Sequence, residues 1–510
     1  MSQPARMTRR TFFRGAAVIL GGVALAPAIA ACTTSDQPEP RGYDGDPRPL
    51  PIPPLYEGEM DGDRRVFALT TRAGQAEILP GVTTPTWGFN GDVLGPTLRV
   101  RRGEDVRVDI TNELDEMTTI HWHGMKLPAW ADGGPHSPIE PGATWSPEWT
   151  VDQPAATLWY HPHPHEKTAL HCYRGLAGML LVDDEVTDRL DLPAEYGVDD
   201  IPVVITDATF HDDGRLDEEI DPTLGLLGDT PLVNGITNAS FAATTRRVRL
   251  RLLNGASMRF HHLQRADARP FHVISSDSGL LPAPQEVDSV LLSPAERVDI
   301  LVDLAPGEET ILESVPLDNN FGIPAGENVT DFGFGDSFTL LTVTGPGDNA
   351  PEPSAVPTTL DPNAEATPDV GSAVRREFAL NTFRINDQLM DMNRVDVTID
   401  HRDPEVWVVT NENSDWPHNF HIHNARFKVL SLDGTDVTEV LTTGWKDTVA
   451  LPPNSTVELA VEFGWHPDPA VPYMFHCHML LHEDEGMMGQ FVIVEPGQEA
   501  ALEPMSGRSH

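Results

Sequence analysis

The sequence predicts an all-β protein made of three sandwich-like units, and three observations carry that expectation. Short runs alternate in polarity at period two: Arg99-Val100-Arg101, Val106-Arg107-Val108-Asp109-Ile110, Val248-Arg249-Leu250-Arg251-Leu252 and Val395-Asp396-Val397-Thr398-Ile399. Such alternation puts neighbours on opposite faces of a half-buried strand, and many short strands make sandwiches. No long stretch has helical periodicity. One layout also recurs three times. Phe89-Asn90-Gly91, Val233-Asn234-Gly235 and Ile385-Asn386-Asp387 each precede strands; Thr111-Asn112, Leu253-Asn254 and Thr410-Asn411 follow. Then come Ile120-His121-Trp122-His123, Phe260-His261-His262 and Phe420-His421-Ile422-His423. Three repeats of one β-unit suit a 510-residue chain better than one giant domain, since domains run to about 150 residues.

Taken in order, the chain opens on an address. Thr8-Arg9-Arg10-Thr11-Phe12-Phe13-Arg14 precedes an apolar run over 15–31 that ends Ile29-Ala30-Ala31-Cys32. A basic flank, a short apolar core and small residues describe an export signal, and the core is short for a membrane span. The paired arginines resemble a twin-arginine signal. Ile-Ala-Ala-Cys resembles a lipoprotein box, which implies a lipid anchor on Cys32 and a place in the cell envelope, periplasmic or on the outer face of the cytoplasmic membrane. Export after folding suits a protein that loads a cofactor. Residues 32–59 are proline-rich, and Pro38 to Pro54 read as a stiff tether rather than a fold. The three units are expected at about 60–185, 200–345 and 375–496, with a Pro/Ala/acid-rich linker over 345–374 and a tail over 497–510.

Charge and cysteine content exclude several classes. The 35 Lys and Arg against 78 Asp and Glu give −43, and loss of Arg6, Arg9, Arg10 and Arg14 with the signal would leave −47. Such a surface repels nucleic acid and attracts cations, so nucleic-acid binding is excluded. Most of the acidity reads as a solvated exterior. A 39% hydrophobic and 22% charged composition excludes wholesale disorder. Cysteines occur only at 32, 172 and 477, which excludes a disulfide framework.

Four His-x-His pairs stand out among the 20 histidines: His121/His123, His161/His163, His421/His423 and His476/His478. Residues i and i+2 of a strand share a face. Each pair therefore aims two imidazoles one way while Trp122, Pro162, Ile422 and Cys477 point elsewhere. One pair is weak evidence, because core and surface histidines are commoner than ligands; four pairs, two in the first unit and two in the last, point to metal. Imidazole suits copper, zinc, iron and nickel alike. The stretch His476-Cys477-His478-Met479-Leu480-Leu481-His482-Glu483-Asp484-Glu485-Gly486-Met487-Met488 narrows the choice, with His418-Asn419-Phe420-His421 upstream. One cysteine, two histidines and a weak axial methionine form the blue-copper electron-transfer set. Cys477, His418, His482 and Met487 supply it.

These segments resemble the multicopper oxidases, the laccase-like enzymes and bacterial periplasmic cuprous oxidases, over about residues 65–496. His121-Trp122-His123-Gly124, His161-Pro162-His163, His418-x-x-His421-x-His423 and the His476 to Met487 stretch carry the resemblance, and Gly444-Trp445-Lys446-Asp447-Thr448-Val449 also looks like the bacterial members. The resemblance implies three cupredoxin-like Greek-key β-sandwich domains and four copper ions, with a trinuclear cluster between the first and third domains. A type 1 copper would take His418, Cys477, His482 and Met487. A type 2 copper would take His121 and His421. Two type 3 coppers would share His123, His161, His163, His423, His476 and His478. Met488 is the alternative axial ligand, but the ten-residue offset from Cys477 matches the family at Met487. Asp132, in a turn-forming Asp132-Gly133-Gly134-Pro135, stands where related enzymes carry an acid near the cluster. Glu483 follows His482. Both are candidate catalytic residues for proton delivery. His165, His171 and Cys172 read as ordinary packing and surface, and His261 and His262 belong to a middle unit without further ligand motifs.

The implied reaction couples one-electron oxidation of four donor equivalents to four-electron reduction of O2 to water. Candidate donors are phenols, aromatic amines, Cu(I) and Fe(II), reacting through the edge of His482, and the chain is expected to act as a monomer. The alternative is a dedicated Cu(I) oxidase for copper tolerance. The lipid box and the acids Glu483-Asp484-Glu485 beside His482 lean toward it. Against it, residues 320–375 contain no methionine, unlike relatives with a methionine-rich insert. Non-enzymatic alternatives are copper storage, or a structural or cell-division factor of the same fold that has lost ligands; the intact histidine and cysteine set argues against them.

Overall fold

A computed structural model describes residues 41, 45–317, 319–324, 326, 330–436 and 444–502. The expected signal over 1–31, Cys32 and most of the tail lie outside the described residues.

Among these residues the strands form six sheets, two in each unit, and helix is confined to short segments such as Thr168–Tyr173 and Leu480–Asp484. The all-β expectation holds. In the first unit Arg64–Ala76 runs parallel to Asp105–Asn112, facing a sheet in which Thr97–Arg101, Gly178–Asp183, Ala156–His161 and His121–His123 are successive neighbours. The other units repeat the parallel pair with Asp200–Ala208 beside Arg247–Asn254 and Arg375–Asn381 beside Glu405–Asn411. Each pair of sheets closes on its own apolar core: Phe67, Ile110 and Trp122 in the first unit, Leu252, Ile300 and Leu341 in the second, Trp407, Phe420 and Phe475 in the third.

The sequence repeat has a physical cause. Asn90, Asn234 and Asn386 all adopt the left-handed backbone, at φ 56, 48 and 53, which asparagine tolerates. Each folds its amide back onto the preceding strand. Asn90 accepts from Thr70 N and donates to Ala68 O. Asn234 does so with Val204 N and Pro202 O, and Asn386 with Ala379 N and Glu377 O. The second asparagine is equally fixed: Asn112, Asn254 and Asn411 are fully buried and donate to carbonyls of the chain that leads toward the histidine strand. These side chains tie the loops whose ends set the histidines.

Residues 45–59 correct the tether reading. Arg48–Pro49 pairs with Ala239–Ala242 of the middle unit, and Leu55–Tyr56 pairs with Thr97–Arg101 of the first. Prolines here alternate with residues that keep an N–H, so Arg48 donates to Asn238 O and Leu50 to Ser240 O. Proline is tolerated at an edge where only one side pairs. The 345–374 segment also docks: Leu360 is buried in the middle core and donates its N–H to Pro282 O. Val395 and Asp396 stay outside the strand Val397–Ile399, because the Asp396 carboxylate is turned to accept Gln490 N.

Candidate metal centre

Register brings the four His-x-His pairs together. His121–His123 pairs antiparallel with Ala156–His161, setting His121 opposite His161; His418–Ile422 pairs with Tyr473–His476, setting His421 opposite His476. Opposite residues share a face, so His121, His123 and His161 aim together, as do His421 and His476, while Trp122 and Ile422 enter the cores. His163, His423 and His478 lie just past the ends of their strands. The two sets meet face to face. His121 stacks on His423 and His123 on His421, each with ring centroids 3.7 Å apart. All eight rings are at most 1% exposed.

The donor atoms fall into groups. His163, His423 and His476 converge, with Nε2 of His476 3.2 Å from Nε2 of both partners. His161 and His478 meet Nε2 to Nε2 at 3.4 Å, with the His123 ring 5.0 Å from His478. His121 and His421 spend Nδ1 on backbone carbonyls, donating to Asp132 O at 3.0 Å and Asp447 O at 2.8 Å. That leaves both Nε2 atoms, and Nδ1 of His123, buried without a hydrogen-bond partner. Burial pushes the pKa of His121, His123, His163, His421, His423 and His478 well down, so these rings are neutral and their lone pairs face one another. Unpaired buried polar atoms are costly, about 1–3 kcal/mol each, and a cation among them removes that cost.

A second group lies on the other side of Cys477. Its Sγ is 3.4 Å from His482 Nδ1 and 3.6 Å from His418 Nδ1, and those two nitrogens are 3.1 Å apart. His418 donates Nε2–H to Asn413 Oδ1, which commits Nδ1 to the sulfur side. Burial pushes the Cys477 thiol up to about 12, so only a soft cation can hold it as thiolate. Met487 is fully buried and its carbonyl accepts Cys477 N. Met488 instead lines a cavity with Phe475 and Arg376.

Asp132 and Glu483 sit against opposite sides of the histidine cluster. Asp132 Oδ2 accepts from His423 Nδ1 at 2.7 Å, and Oδ1 is 3.6 Å from His121 Nδ1. Burial pushes the Asp132 carboxyl up to about 6, against the pull of His121 and His476. Glu483 presents Oε1 to His163 Nδ1 at 3.3 Å and Oε2 to His476 Nδ1 at 3.2 Å.

Two expectations about the electron-accepting face are corrected. The acids 483–485 are not an exposed patch. They lie on and just after the helix Leu480–Asp484, where about 3.6 residues per turn send consecutive side chains in different directions. Glu483 turns inward, the Asp484 carboxylate accepts Thr168 N and Ala169 N of the first unit, and only Glu485 is exposed. Nor does His482 show an open edge. It is 0% exposed, with Trp416 stacked over it at 5.7 Å and 14° and Phe383 at 5.5 Å.

His171 is buried, 3.1 Å from Thr118 Oγ1 and edge-on to Trp87, and Cys172 Sγ lies 4.0 Å from His161 Nδ1, so Cys172 packs beside the cluster. His165 is half-buried near Glu166. His261 and His262 contact Ser314 and Ser289, and among the described residues no metal-type grouping includes them. Sequence reasoning missed Asp447, although it stands in the Gly444 to Val449 stretch already singled out. It also missed Trp416, two residues before His418, and Arg297, which carries no sequence signal at all.

A three-unit β-sandwich chain with two buried histidine-rich centres defines the class, and the comparisons agree. Two family models described as multicopper oxidase match residues 70–187 and 357–497. The chain belongs to the multicopper oxidase family, and its units are cupredoxin-like. It is 35% identical over 448 residues to "Multicopper oxidase mco" of Staphylococcus haemolyticus, covering 87% of this chain and 92% of that one. It is also 35% identical over 497 residues to "Cell division protein FtsP" of Escherichia coli, covering 96% and 99%. Among solved structures, the laccase of Pediococcus acidilactici superposes with a TM-score of 0.79 at 35% identity, covering 89% of this chain and 95% of the other. The family implies copper and the chemistry of a copper oxidoreductase.

Proposed function

We propose that the protein couples one-electron oxidation of a small donor to the four-electron reduction of O2 to water. The observation that carries this reading is the convergence of buried histidine and cysteine donor atoms in two neighbouring groups, several of them without a hydrogen-bond partner. His418, Cys477, His482 and Met487 would hold one copper and His121 and His421 a second. His163, His423 and His476 would hold a third, and His123, His161 and His478 a fourth. Bound copper supplies one-electron acceptance at the first site and multi-electron delivery to oxygen at the other three. The chain does the rest. Cys477 is bonded through the backbone to His476 and His478, so the two centres share one short covalent path. Carbonyls of Asp132 and Asp447 fix the tautomers of His121 and His421. Asp132 can hold a proton at a carboxylate oxygen beside His121 and His423. Glu483, pulled down to about 2, against the effect of burial, by His163 and His476, presents those rings with a proton-accepting carboxylate.

The deciding experiment is oxygen uptake by the copper-loaded protein with Cu(I), Fe(II), a phenol and an aromatic amine side by side. Four donor equivalents per O2 are expected. The burial of His482 bears on which donor is used. Trp416→Ala removes the ring over His482 and should raise kcat/KM for a bulky phenol several-fold, with unchanged blue absorption. Equal kcat/KM in both proteins refutes the idea that Trp416 screens the site. A dedicated Cu(I) oxidase remains the narrower alternative and requires a strong preference for Cu(I).

The FtsP relatives raise a second reading, a role in cell division. Purified protein that holds no copper and lacks blue absorption would refute oxidase activity and leave the non-enzymatic reading standing. We further propose export to the cell envelope with a lipid on Cys32; mass spectrometry of the mature N-terminus tests this, and an unmodified Cys32 overturns the anchor.

A further inference from the structure

We infer that Arg297, from the middle unit that supplies none of the proposed copper ligands, is a positioning residue for the histidine cluster. This rests on the copper reading above. Arg297 is the first residue of the strand Arg297–Asp303 and is 0% exposed. Its guanidinium spends all five donors. Nε donates to Thr157 O at 3.0 Å, on the strand that ends at His161. Nη1 donates to Ala295 O at 3.1 Å and Asp447 Oδ1 at 2.7 Å; Nη2 donates to Asp277 O at 2.9 Å and Asp447 Oδ2 at 2.6 Å. The pairing with Asp447 is bidentate, a geometry lysine cannot reproduce.

Asp447 is where the clamp reaches the cluster. Its Oδ1 lies 3.1 Å from His123 Nε2 and accepts from Thr448 Oγ1 at 3.0 Å. Its carbonyl accepts from His421 Nδ1. One residue therefore sets the free nitrogen of His123 in the first unit and of His421 in the third, and Arg297 sets that residue. The same loop of the middle unit acts once more. Ser293 Oγ and Pro294 O take the amide of Asn419, whose Oδ1 accepts His478 N at 2.6 Å and lies 3.5 Å from Cys477 Sγ. Ala295 sits between them in the left-handed region at φ 75. Such strain in a non-glycine residue persists only where surrounding contacts fix it. Here it turns the Ala295 carbonyl onto Arg297.

The test compares Arg297→Lys with Arg251→Lys in copper-loaded protein. Arg251 is a buried arginine of the same region, held by Asp200, Thr157 and Asp299, with no bond to Asp447 or to another residue that bonds a cluster histidine among those described. Copper content, the type 2 electron paramagnetic resonance spectrum and blue absorption are read for both. R297K should keep its blue absorption, show a changed type 2 spectrum, and lose cluster copper to a chelator at about ten- to a hundredfold lower concentration. R251K should keep the wild-type spectrum and chelator response even where it lowers Tm. An R297K spectrum and chelator response equal to wild type would overturn the inference. If R297K does not accumulate folded, R297Q/D447N, which removes the opposed buried charges together, takes its place with the same two outcomes. Wild-type protein that binds no type 2 copper instead refutes the copper reading itself.

Discussion

Cys477→Ser is expected to abolish blue absorption and to lower oxygen consumption with every donor by roughly a thousandfold or more. The reason is chemical rather than steric. Burial pushes the Cys477 thiol up to about 12, and a serine hydroxyl in the same enclosed place cannot ionise. The soft, covalent donor of the blue-copper set would be replaced by a neutral hard one. The rest of the centre survives on geometry. His418 Nδ1 and His482 Nδ1 remain 3.1 Å apart, and Asn419 still accepts His478 N. The cluster should therefore keep its copper and its type 2 resonance while losing its supply of electrons. Direct chemical reduction of the protein, followed by exposure to O2, should still give one reoxidation of the cluster. Steady turnover by C477S would mean that donors reach the cluster without passing Cys477, and the shared path would have to be abandoned.

Much of this centre was legible in the sequence because strand periodicity fixes direction. A pair at i and i+2 within one strand can only point to one face, so His121/His123 declared their side before any neighbour was known, whereas His163, His423 and His478 fall just past the ends of their strands and are placed by the turns that follow. The asparagine repeat was legible for a similar reason, since Asn90, Asn234 and Asn386 do one job with backbone atoms 20, 30 and 7 residues away. What was not legible depends on neighbours far along the chain. Nothing near Arg297 in sequence indicates Asp447, because the two residues are 150 positions apart. The acids 483–485 misled because three adjacent residues look like one patch until the helix separates them. The prolines before residue 59 misled because composition alone does not say that Arg48 and Leu50 keep the N–H groups an edge requires. The cover on His482 was hidden because Trp416 and Phe383 come from different loops.

Asp132→Asn should lower steady oxygen consumption by about ten- to a hundredfold, while anaerobic reduction of the blue copper by the same donor keeps its wild-type rate. The two readouts separate because, of the two centres, Asp132 touches only the cluster. Its Oδ2 accepts from His423 and its carbonyl from His121, while Cys477, His418 and His482 lie in the other group. An asparagine preserves size and can still accept one hydrogen bond through Oδ1, and the backbone carbonyl to His121 is untouched. Collapse of the site is therefore not the expected cause of the loss. What the amide cannot do is take up and release a proton at Oδ2 beside His423. Glu483→Gln makes the same change on the opposite side, against His163 and His476. The two acids share His476 as a neighbour, and His163, His423 and His476 converge, so their effects should couple and the double variant should be slowed by less than the product of the two single effects. A double variant no slower than the worse single one would place both acids in one proton route, and unchanged turnover in D132N would remove Asp132 from proton delivery and leave it only the task of orienting His423.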